Sequence, residues 1–83
     1  MDYIYNQLQG RALNGSIVLS NGNYRKIGIQ VEPGTIVNLN NGNKIIVGIT
    51  GRLELEEVKI TSLSLSGSKN NYISYIIDYY KYN

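Results

Sequence analysis

The sequence predicts an all-β chain: a small barrel or compact sandwich of about seven antiparallel strands, built on a tandem-duplicated hairpin. Three observations lead there. Gly15 to Gln30 is written again at Gly34 to Thr50, with nine of sixteen aligned positions identical once Asn38 is taken as an insertion. From Gly15 onward apolar and polar residues alternate, the period of a strand with one face buried. Clusters of Asn, Gly, Pro and Ser divide these runs, as turns divide short strands. The 83 residues read as a single β domain, 1–83, with hairpins at 15–30 and 34–50.

Asp2 to Gln9 is the one candidate helix. Asp2 is placed to cap it, Gly10 to end it, and Ile4 and Leu8 share a face. The rival reading is a short strand, Tyr3-Ile4-Tyr5, because the window is too short for periodicity to decide. In the first repeat Ile17 and Leu19 share one face, and Ile27, Ile29 and Val31 share one after the turn. In the second, Val37 and Leu39 face Ile45, Val47 and Ile49. Asn21-Gly22-Asn23 and Asn41-Gly42-Asn43 are the turns, since type I′ turns require positive φ at both central residues. Gly28 and Gly48 fall at matching strand positions, where glycine marks a bulge, a bend or a close approach. Pro33-Gly34 joins the repeats. Leu53 and Leu55 continue the pattern, and a change of phase before Leu63 and Leu65 predicts a bulge near Thr61-Ser62. Ser66 to Asn71 is a polar loop, and Tyr72 to Tyr82 a last strand. A meander is the simplest connection.

A chain of this length buries only ~60–65% of its unfolded surface, so its core is marginal. Cysteine and histidine are absent. Disulfides are therefore excluded, and no metal or other cofactor is expected. A partner subunit is the remaining aid to stability, so a homo-oligomer is expected, with a protein partner as the next contact. The net charge of +2 is scattered and gives no broad footprint for nucleic acid. The apolar runs fall short of the ~18 residues that mark a membrane span, so a soluble, cytoplasmic protein is expected, with no membrane. Ile, Asn, Lys and Tyr supply 36 of the 83 residues. All four use AT-rich codons, as in a low-GC bacterium, a phage of one, or an archaeal virus.

Catalysis is poorly supplied, because the commonest base and the best nucleophile are missing. Glu54 and Glu56 lie on one strand face and read as solvated charge rather than an acid–base pair. No catalytic residue is assigned, and the chain is expected not to be an enzyme. Candidate ligand-binding residues gather at the two turns: Asn21, Asn23, Tyr24, Arg25 and Lys26 at the first, Asn41, Asn43 and Lys44 at the second. Amides and backbone N–H groups of tight turns can hold anions or sugars. Five of eight tyrosines sit at the end of the chain: Tyr72, Tyr75, Tyr79, Tyr80 and Tyr82. That is more aromatic area than one small core absorbs, and tyrosine is favoured at protein interfaces. These five are the candidate interface, half core and half contact surface.

The order Val18, Asn21-Gly22, Gly28 is similar to a short stretch of the Sm-like RNA-binding proteins. However, five residues stand between Gly22 and Gly28, and between Gly42 and Gly48, one more than in that family. The family's downstream signature is also missing, so nothing is carried over from it. The expected function is a non-enzymatic interaction and assembly module, in a phage or mobile element a structural component or an inhibitor of a host system. The alternative is an oligomeric small-barrel binder that sequesters a nucleotide or short nucleic acid.

Overall fold

The computed structural model describes residues 3–67 and 72–82. It has seven strands: β1 (Tyr3–Ala12), β2 (Gly22–Gln30), β3 (Ile36–Leu39), β4 (Asn43–Ile46), β5 (Arg52–Ile60), β6 (Leu63–Ser66) and β7 (Ile73–Tyr82). They form two antiparallel sheets, β1-β7-β2-β5 and β4-β3-β6. The all-β expectation holds in its open, two-sheet form; a closed barrel is not formed. The order is not a meander. The first and last strands pair over ten residues, from Tyr3 opposite Tyr82 to Ala12 opposite Ile73.

No helix forms at the start of the chain. Tyr3–Ala12 is strand from end to end, and the proposed cap, Asp2, lies outside the described residues. The physical reason is tertiary: β7 offers an unbroken ladder for ten residues, while a helix this short is marginal alone. Within the expected polar loop, residues 68–71 also lie outside the described residues.

The two repeats fold differently. In the second, β3 and β4 form the expected hairpin, from Ile36 opposite Ile46 to Leu39 opposite Asn43. Its positive φ values fall on Asn40 and Asn41 (53° and 56°), one residue earlier than the Asn-Gly pair suggests. In the first repeat no hairpin closes. Its front half turns to the three-stranded sheet, where the Ile17 amide donates to the Leu63 carbonyl at 3.0 Å and Ser16 bridges Ser64. Its back half becomes β2, in the other sheet. The repeat is legible in sequence while its two copies do different work.

One core spans both sheets. The four-stranded sheet supplies Tyr24, Ile27, Ile29, Ile60, Ile73, Ile77 and Tyr79, and the three-stranded sheet supplies Val37, Leu39, Leu63 and Leu65. Tyr24 and Ile27 both face inward although three residues apart. An extra residue, Arg25, shifts β2 by one against β7, and Glu57 in β5 takes a positive φ of 50° opposite it. The change of phase thus sits at Arg25 and Glu57, while Thr61-Ser62 is the turn between β5 and β6. Gly28 is neither bulge nor bend: it pairs regularly with Glu54 and Asp78. A Cβ there would stand 2.6 Å from Asp78 Oδ1 and would strike the Arg52 guanidinium. Glycine clears the sheet face for that ion pair, whose Arg52 Nη2 to Asp78 Oδ1 distance is 3.2 Å. Gly48 follows β4 in open space, and Ile49 beside it is 93% exposed rather than core.

Candidate functional site

The outer face of the four-stranded sheet is built by alternation. Side chains directly opposite across a ladder share a face. One row therefore runs Tyr5, Tyr80, Lys26, Glu56 across β1, β7, β2 and β5. The Tyr5 and Tyr80 rings lie 5.0 Å apart at a tilt of 47°, both exposed. Behind them a cleft of about 250 Å³ is lined by Arg25, Lys26, Glu56 and Tyr80. The next row is charged: Arg52 bridges Asp78 and lies 3.5 Å from Glu54, which stands 4.0 Å from Lys26.

At the paired irregularity, Glu57 takes hydrogen bonds from Arg25 and from the Tyr82 hydroxyl. The Tyr82 hydroxyl first, and the Arg25 guanidinium second, hold the Glu57 carboxyl below the usual carboxylate range. The same bond to Glu57 pushes the Tyr82 phenol up. A second cleft, of about 330 Å³, opens beside this cluster between Asn23, Lys59 and Tyr82.

The five candidate interface tyrosines divide by parity. Tyr75 and Tyr79 turn inward: Tyr79 is buried edge-on against Tyr24, with centroids 5.3 Å apart, and burial raises its phenol pKa. Tyr72 and Tyr80 are exposed, and Tyr82 is half-buried on Glu57. Tyr5, the partner of Tyr80, carries no signal in the sequence, because only the β1–β7 register brings it there.

The turn residues do not converge on one site. Tyr24 is fully buried, its hydroxyl donating to the Ser20 carbonyl. The Asn21 carbonyl accepts from Lys81, whose ammonium lies 5.7 Å from the Tyr24 ring centroid. Arg25 and Lys26 belong to the outer face described above. At the other turn Asn41 and Lys44 line a separate cavity of about 270 Å³ with Asn38, Gly42 and Ser64, and Asn43 is exposed beside it. Among the described residues Lys44 has no ionic partner and no carboxylate lines its cavity.

The chain matches no family model, no curated protein and no solved structure. The functional reading therefore rests on geometry alone.

Among the described residues no three metal-ligating side chains gather, and no helix is long and apolar enough to cross a membrane. What the outer face offers is contact: a paired aromatic corner, flanked by fixed charges of both signs.

Proposed function

We propose that this chain is a non-enzymatic assembly module whose contact surface is the β1 side of the four-stranded sheet. The Tyr5–Tyr80 corner carries the reading. Two rings pack against each other at a tilt on the solvent face, with Ile4 also exposed on β1. Paired aromatics at a rim of charge are the composition that protein contacts favour. A core this small gains from a partner subunit. In a phage or mobile element such a module would serve as a structural component or dock on a host protein.

The test is sedimentation velocity and native mass spectrometry at micromolar concentration. A multiple of the 9.3 kDa subunit, or a reproducibly co-purifying protein, is expected. Tyr5→Ser and Tyr80→Ser should each weaken it. A monomer at every concentration with nothing co-purifying overturns the proposal.

Capture of a small anion is a second reading, and one observation favours it: Lys44, without an ionic partner among the described residues, lines a cavity with two amides and a hydroxyl. Arg25 and Lys26 support it less, since Glu57, Glu54 and Glu56 stand beside them.

A further inference from the structure

The two edges of the four-stranded sheet are built differently. Free edges invite pairing with another strand, and natural proteins blunt them with charge, proline or bulges. The β5 edge is blunted. It carries Arg52, Glu54, Glu56, Glu57 and Lys59 in nine residues, and Glu57 breaks its regular backbone with a positive φ. The β1 edge is barely blunted. Its ten residues hold one charge, Arg11, and no proline, and its ladder to β7 runs without a bulge. No described strand lies on its far side. Ile4, Tyr5 and, just past its end, Leu13 are exposed along it.

We infer that β1 is the assembly edge and that its occupant is the β1 strand of a second copy, paired antiparallel about a two-fold axis at Leu8. This rests on the assembly reading above and specifies its partner. The sequence of β1 is self-complementary in that register. Residues whose numbers sum to 16 stand opposite each other. On the inner side Leu8 meets the second copy's Leu8, and Ile4 its Ala12. On the outer side Gln7 meets Gln9, and Tyr5 meets Arg11. A guanidinium over an aromatic ring is a favourable contact, and here it forms twice by symmetry. The two four-stranded sheets become one sheet of eight, and two unpaired backbone edges vanish together.

The experiment uses the absence of native cysteine. Gln7→Cys and Gln9→Cys are made separately, with Lys59→Cys on β5 as control, and each is oxidised alone and in mixture. The inference expects Gln7→Cys mixed with Gln9→Cys to form a disulfide-linked dimer at least ten-fold faster than Lys59→Cys. Directly opposite residues of an antiparallel pair have Cα atoms about 4.5–5.5 Å apart, a span a disulfide can bridge. The double variant Gln7→Lys/Gln9→Lys sets like charges opposite one another and should raise the dimer dissociation constant at least ten-fold, with the unfolding midpoint of the monomer unchanged. Assembly in solution without crosslinking on β1 overturns the edge pairing and leaves the assembly reading standing. A monomer that never crosslinks overturns both.

Discussion

The side chain of Asn40 holds Thr61 by both the Thr61 amide and the Thr61 hydroxyl. Asn40 Oδ1 accepts from the Thr61 amide at 2.7 Å, the Thr61 hydroxyl at 3.0 Å and the Ser62 amide at 3.3 Å. Its Nδ2 donates to the Lys59 carbonyl at 2.8 Å, and its own amide donates to the Ser62 carbonyl at 2.9 Å. One side chain thus ties the β3–β4 turn to the β5–β6 turn, and so one sheet to the other. It does so from the left-handed conformation, which asparagine tolerates better than most residues.

Asn40→Ala removes four side-chain bonds and keeps an unfavourable φ. It should cost about 1–3 kcal/mol of stability in urea unfolding. Asn40→Asp keeps the acceptor and loses only the bond to Lys59, so it should fall between alanine and the native residue. Asn41→Gly relieves a positive φ at a position with no such bonds and should be neutral or slightly stabilising. If alanine and aspartate prove equal, the acceptor is not what joins the turns.

The tyrosines separate stability from assembly. Tyr79→Ser empties a buried ring from the core and should cost about 3–5 kcal/mol. Tyr80→Ser removes an exposed ring and should leave the unfolding midpoint nearly unmoved while weakening self-association. Paired urea and sedimentation measurements on each variant decide this. The two neighbours should fail in different assays.

Two glycine variants should rank by what the new Cβ meets. At Gly51, φ is 70° and the Cβ would stand 2.6 Å from the backbone oxygen of Val31. That oxygen cannot swing aside, because the Val31 amide is fixed on the Gly51 carbonyl at 2.8 Å. Gly51→Ala should cost about 2 kcal/mol or more. At Gly28 the Cβ meets the ends of Arg52 and Asp78, which can move. Gly28→Ala should cost about 1 kcal/mol or less, the worth of a partly exposed ion pair. In an Asp78→Asn background that cost should shrink further.

These variants mark how much of the fold the sequence carries. Alternation sets Ile17, Ile27, Ile29, Val31 and Val37 on core faces, and all five are buried. Periodicity is local, so it survives without knowledge of neighbours. It could not show that Tyr3–Ala12 joins β7, because that pairing spans the whole chain and its reward is tertiary. Nor could it show that the first Asn-Gly-Asn closes no hairpin: the same three residues suit a turn and the start of a strand. The cluster of Arg25, Glu57 and Tyr82 was half visible. Arg25 stands out as a turn-flanking cation, but Glu57 becomes its partner only through the β2–β5 register, which sets the two at one level.

Lys44 offers a test of the second functional reading. Lys44→Ala should leave folding unchanged, since the side chain is exposed and has no ionic partner among the described residues. If the cavity with Asn38, Asn41 and Ser64 captures anions, phosphate or sulfate should move the Asn38 and Asn41 side-chain amide resonances in the native protein. It should not move them in Lys44→Ala. No shift at millimolar phosphate removes that reading.

The Glu57 cluster sets a pH dependence with a defined sign. Tyr82 and Arg25 both favour the charged carboxylate, so its folded pKa is depressed. A depressed carboxyl contributes stability that is present above the unfolded value, about 4.3, and lost as pH falls through the folded value. The Tyr82 phenol is raised by the same bond, so its contribution is present below about 10 and lost as pH rises through the folded value. The contact should therefore hold across the neutral range and fail at both ends. Carbon-detected NMR of Glu57 should give a midpoint below the ordinary carboxylate value of about 4.3. Tyr82→Phe and Arg25→Gln should each raise that midpoint, because each removes a hydrogen bond that favours the carboxylate. Equal midpoints in all three proteins would mean that the bulged pair, not its hydrogen bonds, holds Glu57 where it is.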